Sequence, residues 1–104
     1  MNEKRESTRN DFVRKVVYSL EGRPEEMFTA RSLDISLGGI GLKAKKVIEK
    51  GKVLDLSLYL PGLKEPLKAK ARLVWQDALP ENGWRKAGLQ FIEIPWTRLR
   101  TLVA

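Results

Sequence analysis

The chain has 104 residues, of which 42% are apolar, and a formal charge of +7 from 20 Lys and Arg against 13 Asp and Glu. This length suits one domain with one core, and no apolar run approaches the roughly 20 residues that cross a bilayer. With no cysteine and no histidine, the sequence excludes disulfides, thiolate metal sites and the commonest general base. The charged N-terminus lacks the apolar segment of a signal peptide, so we expect a cytoplasmic, non-enzymatic domain.

The positive charge indicates an anionic partner. Nucleic acid, a phosphorylated small molecule and an acidic protein face all fit a basic balance of this size. A well-solvated basic surface without a partner explains the charge equally well.

Six segments have the composition of β-strands. Alternation of apolar and polar residues is clearest in residues 53–60 and 67–76, and in the second of these Trp75 belongs to the inward set. Asn82-Gly83 is a strong hairpin signal. Six strands at short spacing predict an all-β fold, a closed or nearly closed antiparallel barrel. The predicted strands are residues 12–20, 27–35, 39–44, 53–60, 67–76 and 84–92.

The last segment changes from strand to helix. Pro95 suits the first position of a helix, and four apolar residues then share one helical face: Trp96, Leu99, Leu102 and Val103. A helix this short is marginal alone, so we expect it to dock on the barrel. The predicted organisation is a flexible arm (1–11), a barrel (12–94) and a C-terminal helix (95–104). The abrupt end of the sequence is also what a domain cut from a longer protein would show.

Two short motifs stand out in this order. Arg5 and Arg9 lie four residues apart just ahead of the first predicted strand, and Asp34, Ser36 and Gly39 form a turn at the end of the second. Each motif alone is ordinary: the first reads as a solvated tail, and the second as a capped turn. The ordered pair, about twenty-five residues apart within one small barrel, is far more specific.

On these residues the sequence resembles the PilZ domain family, whose signature is R-x-x-x-R followed by [D/N]-x-S-x-x-G. The resemblance implies a six-stranded split β-barrel with a C-terminal helix. It also implies a bacterial cytoplasmic receptor that binds the second messenger cyclic di-GMP as a ligand, without a cofactor, and regulates a protein partner or a covalently linked domain. Nucleic-acid binding and membrane insertion are not implied.

The resemblance assigns a role to each motif residue. Arg5 and Arg9 bind guanine acceptors or phosphate, which an arginine fork does better than lysine, and which arginine takes which group stays open. Asp34 accepts from the guanine N1–H and N2–H groups, Ser36 donates its hydroxyl to base or phosphate, and Gly39 lets the backbone approach the ligand or adopt a positive φ.

Five further residues are weaker candidates. Gly38 could share the role of Gly39, and Lys4 precedes the first motif arginine at a position that bears on ligand stoichiometry. Arg72 and Arg85 could extend a phosphate cradle, although surface arginines are common. Trp75 is expected in the core, with ligand stacking as its alternative role.

Two other functions stay open. A small basic barrel can bind single-stranded nucleic acid, and a domain with this motif can act purely as a protein-interaction module.

Overall fold

The computed structural model describes residues 15–60 and 62–103. Six strands close into an antiparallel barrel in the order β1-β2-β3-β6-β5-β4, and one helix follows. This confirms the all-β prediction. The elements are β1 Lys15–Leu20, β2 Phe28–Ile35, β3 Gly39–Ala44, β4 Val53–Leu58, β5 Leu67–Gln76, β6 Arg85–Glu93 and α1 Trp96–Val103.

The barrel core is aliphatic and follows the strand alternation. In β4 the side chains of Leu54, Leu56 and Leu58 are at most 2% exposed. The small residues Ala71 and Ala69 of β5 lie opposite Leu54 and Leu56. Burying one leucine side chain contributes about 1.5–3 kcal/mol, so the alternating strands supply the main driving force for closure. The described residues contain no helix that is both long and apolar enough to span a membrane.

The hairpin between β5 and β6 has the predicted turn. Asn82 and Gly83 have φ angles of 57° and 83°, the two positive values that a type I′ turn requires. The flanking residues exchange backbone hydrogen bonds, from Glu81 N to Trp84 O at 2.7 Å and from Trp84 N to Glu81 O at 3.0 Å. The Asn-Gly signal therefore fixes the register with which β6 begins.

The pairing of the strands is interrupted at three places. The register shifts between Ser32 and Asp34 where β2 pairs with β3, and between Leu73 and Trp75 where β5 pairs with β6. A third shift follows Lys70 on the same β5–β6 ladder. Each shift places two residues against one, which is a β-bulge and reverses the side-chain alternation beyond it.

The prediction that Trp75 lies in the core is wrong. Its side chain is 48% exposed, whereas Leu73, two residues earlier, is 1% exposed. The extra residue Val74 turns the following side chain to the outer face.

Leu99, a residue of the predicted face, packs the C-terminal helix against the barrel. Leu99 is fully buried and its N–H donates to Pro95 O at 3.0 Å, closing the first turn. Trp96, expected on the same face, is 44% exposed. The helix is thus held to the core by an aliphatic side chain rather than by its tryptophan.

This asymmetry predicts unequal losses of stability. Leu99→Ala should lower the free energy of unfolding by about 2–5 kcal/mol because it leaves a cavity in a packed site. Trp96→Ala should lower it by less than about 1 kcal/mol, as for a surface substitution. Urea unfolding followed by circular dichroism compares the two, and a larger loss in Trp96→Ala would contradict this account of docking.

Candidate functional site

Four residues form one cross-strand row on the outer face of the barrel. Asp34 of β2 is opposite Gly41 of β3, Gly41 is opposite Gly88 of β6, and Gly88 is opposite Trp75 of β5. Neighbouring strands lie about 4.8 Å apart, so the carboxylate and the indole flank a floor of two glycines.

Two bulges bring Asp34 and Trp75 into this row. Ser32 is 2% exposed and faces the core, so unbroken alternation would also point Asp34 inward. The extra residue Leu33 reverses that direction, as Val74 does for Trp75 on the opposite side of the floor. The outward direction of both side chains is therefore set by backbone register.

The glycine floor holds both side chains close to the sheet. A Cβ atom at Gly41 would lie 2.9 Å from Asp34 Oδ1, and one at Gly88 would collide with Nε1 of the Trp75 indole. The Gly41 N–H donates to Asp34 Oδ1 at 3.2 Å. Asp34 Oδ2 has no hydrogen-bond partner among the described residues and remains available as an acceptor.

The turn after β2 fixes Ser36. Its N–H donates to Gly39 O at 2.9 Å, and its hydroxyl accepts from the Gly38 N–H at 3.3 Å. The Ser36 hydroxyl also lies 3.4 Å from Gly39 O, to which it donates. The serine of the motif thus closes the turn as well as facing the site.

Gly39 is required by packing rather than by a left-handed conformation. A Cβ at this position would collide with the Leu89 carbonyl oxygen of β6. Positive φ angles among the described glycines occur only at Gly22, Gly51, Gly62 and Gly83, so the expectation of positive φ at Gly39 or Gly38 is wrong. The other expected role, close approach of the backbone to a ligand, stays a prediction, and the contact that the structure shows is with β6.

These elements enclose a shallow depression of about 490 Å³. Asp34, Ser36, Gly39 and Trp75 all line it, so the structure brings four predicted site residues together. Lys86 of β6 adds a cation to its wall. The volume falls within the range of about 300–1,000 Å³ typical of small-molecule sites. Residues 15–60 and 62–103 contain no group of three potential ligand side chains that could hold a metal ion.

The other predicted residues lie elsewhere or outside the described chain. Arg72 is exposed on β5 but does not line the depression. The Arg85 guanidinium donates to Asp77 O at 3.4 Å and to Ala78 O, and it thereby ties down the loop that follows β5. Gly38 borders the turn but not the depression, and its carbonyl accepts from Phe91 N. Lys4, Arg5 and Arg9 lie outside the described residues.

Three residues of the site were missed from the sequence: Gly41, Gly88 and Lys86. A glycine inside a strand marks close approach of another group, and Gly41 and Gly88 both interrupt apolar strands. That signal was present for both. Lys86 has no such signal, because only the register of β6 places it beside the depression.

Comparison with known proteins places the chain in a family. The profile of the PilZ domain matches residues 3–104. The chain belongs to the PilZ domain family. PilZ domains are binding domains of cyclic di-GMP receptors rather than enzymes. The second half of the family motif falls on Asp34, Ser36 and Gly39, which line the depression.

One solved structure is similar over most of this chain. It is the Bacillus subtilis inhibitor of motility (MotI/DgrA), with a TM-score of 0.71 and 26% sequence identity. The match covers 89% of this chain and 44% of that one, so the PilZ chain spans less than half the length of its structural relative. No curated protein sequence matches.

The packing of the turn predicts opposite tolerance at two adjacent glycines. Gly39→Ala should lower the free energy of unfolding by about 1–3 kcal/mol, because its methyl group would displace the backbone of β6. Gly38→Ala should change it by less than about 0.5 kcal/mol, since nothing lies within 4 Å of a Cβ there. Chemical denaturation of the two variants is the test, and equal losses would show that Gly39 is not constrained by β6.

Proposed function

We propose that the chain is a receptor for cyclic di-GMP that binds its ligand in the depression between Asp34 and Trp75. The observation that supports this most directly is the row itself, a carboxylate and a half-exposed indole on either side of a glycine floor. Membership of the PilZ family supplies the ligand class, and the geometry supplies a place for a guanine base.

Asp34 provides the proposed specificity for guanine. The guanine N1–H and N2–H groups are donors, and Asp34 Oδ2 is an acceptor without a partner among the described residues. An ionised carboxylate forms hydrogen bonds roughly twice as strong as neutral ones. Adenine has no donor pair in that arrangement, so cyclic di-AMP should bind more weakly.

Trp75 provides a stacking surface. Its side chain is 48% exposed and rests over Gly88, where no side chain separates the indole from the sheet. Stacking of a base on an aromatic ring contributes about 1–3 kcal/mol. This changes the role of Trp75 from the expected core residue to the proposed ligand contact.

The arginine motif supplies the proposed phosphate contacts. The first residue of β1, Lys15, is opposite Arg31, three residues before Asp34 on β2. Arg9 precedes Lys15 by six residues in the sequence, a reach of roughly 20 Å when extended. Arg5 and Arg9 can therefore extend over the depression, where Lys86 would add a third cation against the two phosphodiester charges.

Regulation is proposed to follow from ordering of the arm. Closure of the segment that carries Arg5 and Arg9 over the ligand would change the surface that a partner protein meets, at the entropic cost of folding on binding. The similar Bacillus protein is an inhibitor of motility by its description, which supports an adaptor role in the bacterial cytoplasm for this chain.

Calorimetry with cyclic di-GMP tests the assignment of Asp34 and Trp75. Asp34→Ala should raise Kd by roughly 10- to 150-fold, the loss of a charge-assisted hydrogen bond. Trp75→Ala should raise Kd by about 5- to 150-fold. Trp96→Ala and Asp77→Ala are matched controls, because Trp96 has nearly the same exposure as Trp75 and Asp77 lies outside the depression. Unchanged affinity in both site variants would refute the site.

The arginine motif has a separate test. Arg9→Ala should abolish the thermal stabilisation that saturating cyclic di-GMP gives, since stabilisation follows RT ln(1 + [L]/Kd). Arg23→Ala, which breaks only an exposed ion pair with Glu26 at 3.7 Å, should keep it. Full stabilisation of Arg9→Ala would exclude the arm from the site and leave the Asp34 half standing.

A further inference from the structure

Cations occupy a cross-strand row over four of the six strands of the barrel. Lys15 of β1 is opposite Arg31 of β2, Arg31 is opposite Lys43 of β3, and Lys43 is opposite Lys86 of β6. Four cations thus lie on four adjacent strands over roughly 14 Å, three strand spacings. We call this row, together with Lys45 and Lys46 beyond the end of β3, the cationic band.

The cationic band is not neutralised by the described part of the chain. Like charges directly opposite each other destabilise a sheet, yet none of the six residues forms an ion pair within residues 15–60 and 62–103. The other side of the barrel differs. There Lys70 contacts Asp55 at 2.8 Å and Glu21 at 3.2 Å, and these two hydrogen bonds raise its pKa above the ordinary value.

Aromatic rings hold several of these cations in place. Arg31 and Lys45 lie 5.6 and 5.0 Å from the centroid of the Trp84 ring, and Lys46 lies 5.3 Å from that of Phe28. Cation–π contacts stabilise a cation without removing its charge. The arrangement keeps a positive surface ordered and free to meet an anion.

Four of the six cations, Lys15, Arg31, Lys45 and Lys46, line a groove of about 640 Å³ together with the rings of Phe28 and Trp84. The Tyr18 side chain, 2% exposed, also borders it, and its hydroxyl has no hydrogen-bond partner among the described residues. A buried hydroxyl without a partner is costly. This hydroxyl is itself buried, so the groove offers a partner its positive charge and its aromatic rings.

We propose that the cationic band is a docking surface for an acidic segment of a partner protein. Side chains on one face of a polypeptide repeat about every 6–7 Å in an extended segment and about every 5–6 Å in a helix, which lets several carboxylates reach the band at once. The N-terminal residues 1–14 are not this segment by charge, since they carry four cations and three anions.

Charge and shape favour a polypeptide over other polyanions. Single-stranded nucleic acid binds best where aromatic faces are free to stack on bases, whereas Trp84 and Phe28 already carry cations. A lipid bilayer is flat and meets a protruding surface, whereas four of these six cations line a groove. A narrow polypeptide enters a groove, and its carboxylates bind cations without needing a free aromatic ring.

This inference extends the proposed function by naming the chemistry of the protein partner, and it holds for any ligand of the depression. Lys86 belongs to the cationic band and also lines the depression. A dianionic ligand there would reduce the positive potential at that edge, so ligand binding should weaken docking of the acidic segment.

Fluorescence anisotropy with the full chain tests the cationic band. The probes are a labelled glutamate-rich peptide, its glutamine counterpart, single-stranded oligothymidine and vesicles that contain phosphatidylserine. We expect the glutamate peptide to bind, and the double variant Arg31→Glu/Lys45→Glu to weaken it at least about 10-fold, the effect of losing two charge contacts. Neither residue lines the ligand depression.

The matched control is Lys64→Glu/Lys68→Glu, which changes the net charge equally at exposed positions outside the groove. It should alter peptide affinity by less than about 2-fold. Arg31→Glu should also keep or raise the melting temperature, because it replaces a like-charge row with opposite charges. That result would show that loss of binding is not loss of fold.

Equal weakening by both double variants would overturn the proposal, because it would show a response to net charge alone. Absence of glutamate-peptide binding, or tighter band-dependent binding of oligothymidine or vesicles, would also overturn it. Cyclic di-GMP titrations of the same proteins keep the two proposals separate. Failure of the wild-type chain to bind cyclic di-GMP would count against the proposed ligand site and not against the cationic band.

Discussion

Two single-residue bulges determine the outer surface of this barrel. The extra residues Leu33 and Val74 interrupt β2 and β5 at the same level. The residue after each of them points to the outer surface, although strand alternation would point it into the core. Without them, strict alternation would point Asp34 and Trp75 into a core made of leucine and alanine. A buried unpaired carboxylate there would be very costly, so the bulges also make Asp34 compatible with folding.

The glycines around these bulges perform different tasks. Gly41 and Gly88 leave room for the carboxylate and the indole, whereas Gly39 leaves room for the carbonyl of Leu89. The third motif residue is thus required by the barrel itself, and Ser36 is partly committed to the turn. Asp34 keeps one side-chain oxygen, Oδ2, without a hydrogen-bond partner in residues 15–60 and 62–103, and that atom can accept from a ligand. This separates residues that build the site from those proposed to contact the ligand.

Positive charge is concentrated next to this site. The side of the barrel formed by β4 and β5 balances Lys70 with two carboxylates. The cationic band crosses β1, β2, β3 and β6 without an ion pair to any other described residue. Lys86 belongs to both the depression and the band. Electrostatics alone would therefore couple a dianionic ligand to an acidic partner, without requiring a rearrangement of the barrel.

Much of this could be predicted from the sequence, since alternation and turn chemistry are local properties. Residues 39–44 and 67–76 were predicted with the bounds that β3 and β5 have, and the Asn82-Gly83 turn was identified by its residue types. Trp75 was predicted wrongly because a bulge changes the facing of a residue without changing the apolar pattern around it. The cationic band was missed because its residues are opposite in register and far apart in sequence.

The part of the prediction that depends on Arg5 and Arg9 stays a prediction, because these residues lie outside the described chain. Their order relative to Asp34, Ser36 and Gly39 carried the resemblance to PilZ domains, and the family match over residues 3–104 confirms that resemblance. The structure brings the second half of the motif, Asp34, Ser36 and Gly39, together on one wall of the depression.

The most direct measurement is fluorescence of Trp75 in a Trp84→Phe/Trp96→Phe background, titrated with cyclic di-GMP and with cyclic di-AMP. Of the three tryptophans in the sequence, only Trp75 then remains. The account predicts saturable quenching by cyclic di-GMP as a guanine stacks on the indole, a much weaker response to cyclic di-AMP, and loss of the response in Asp34→Ala. Binding of cyclic di-GMP, measured by calorimetry, without any change in Trp75 emission would contradict it.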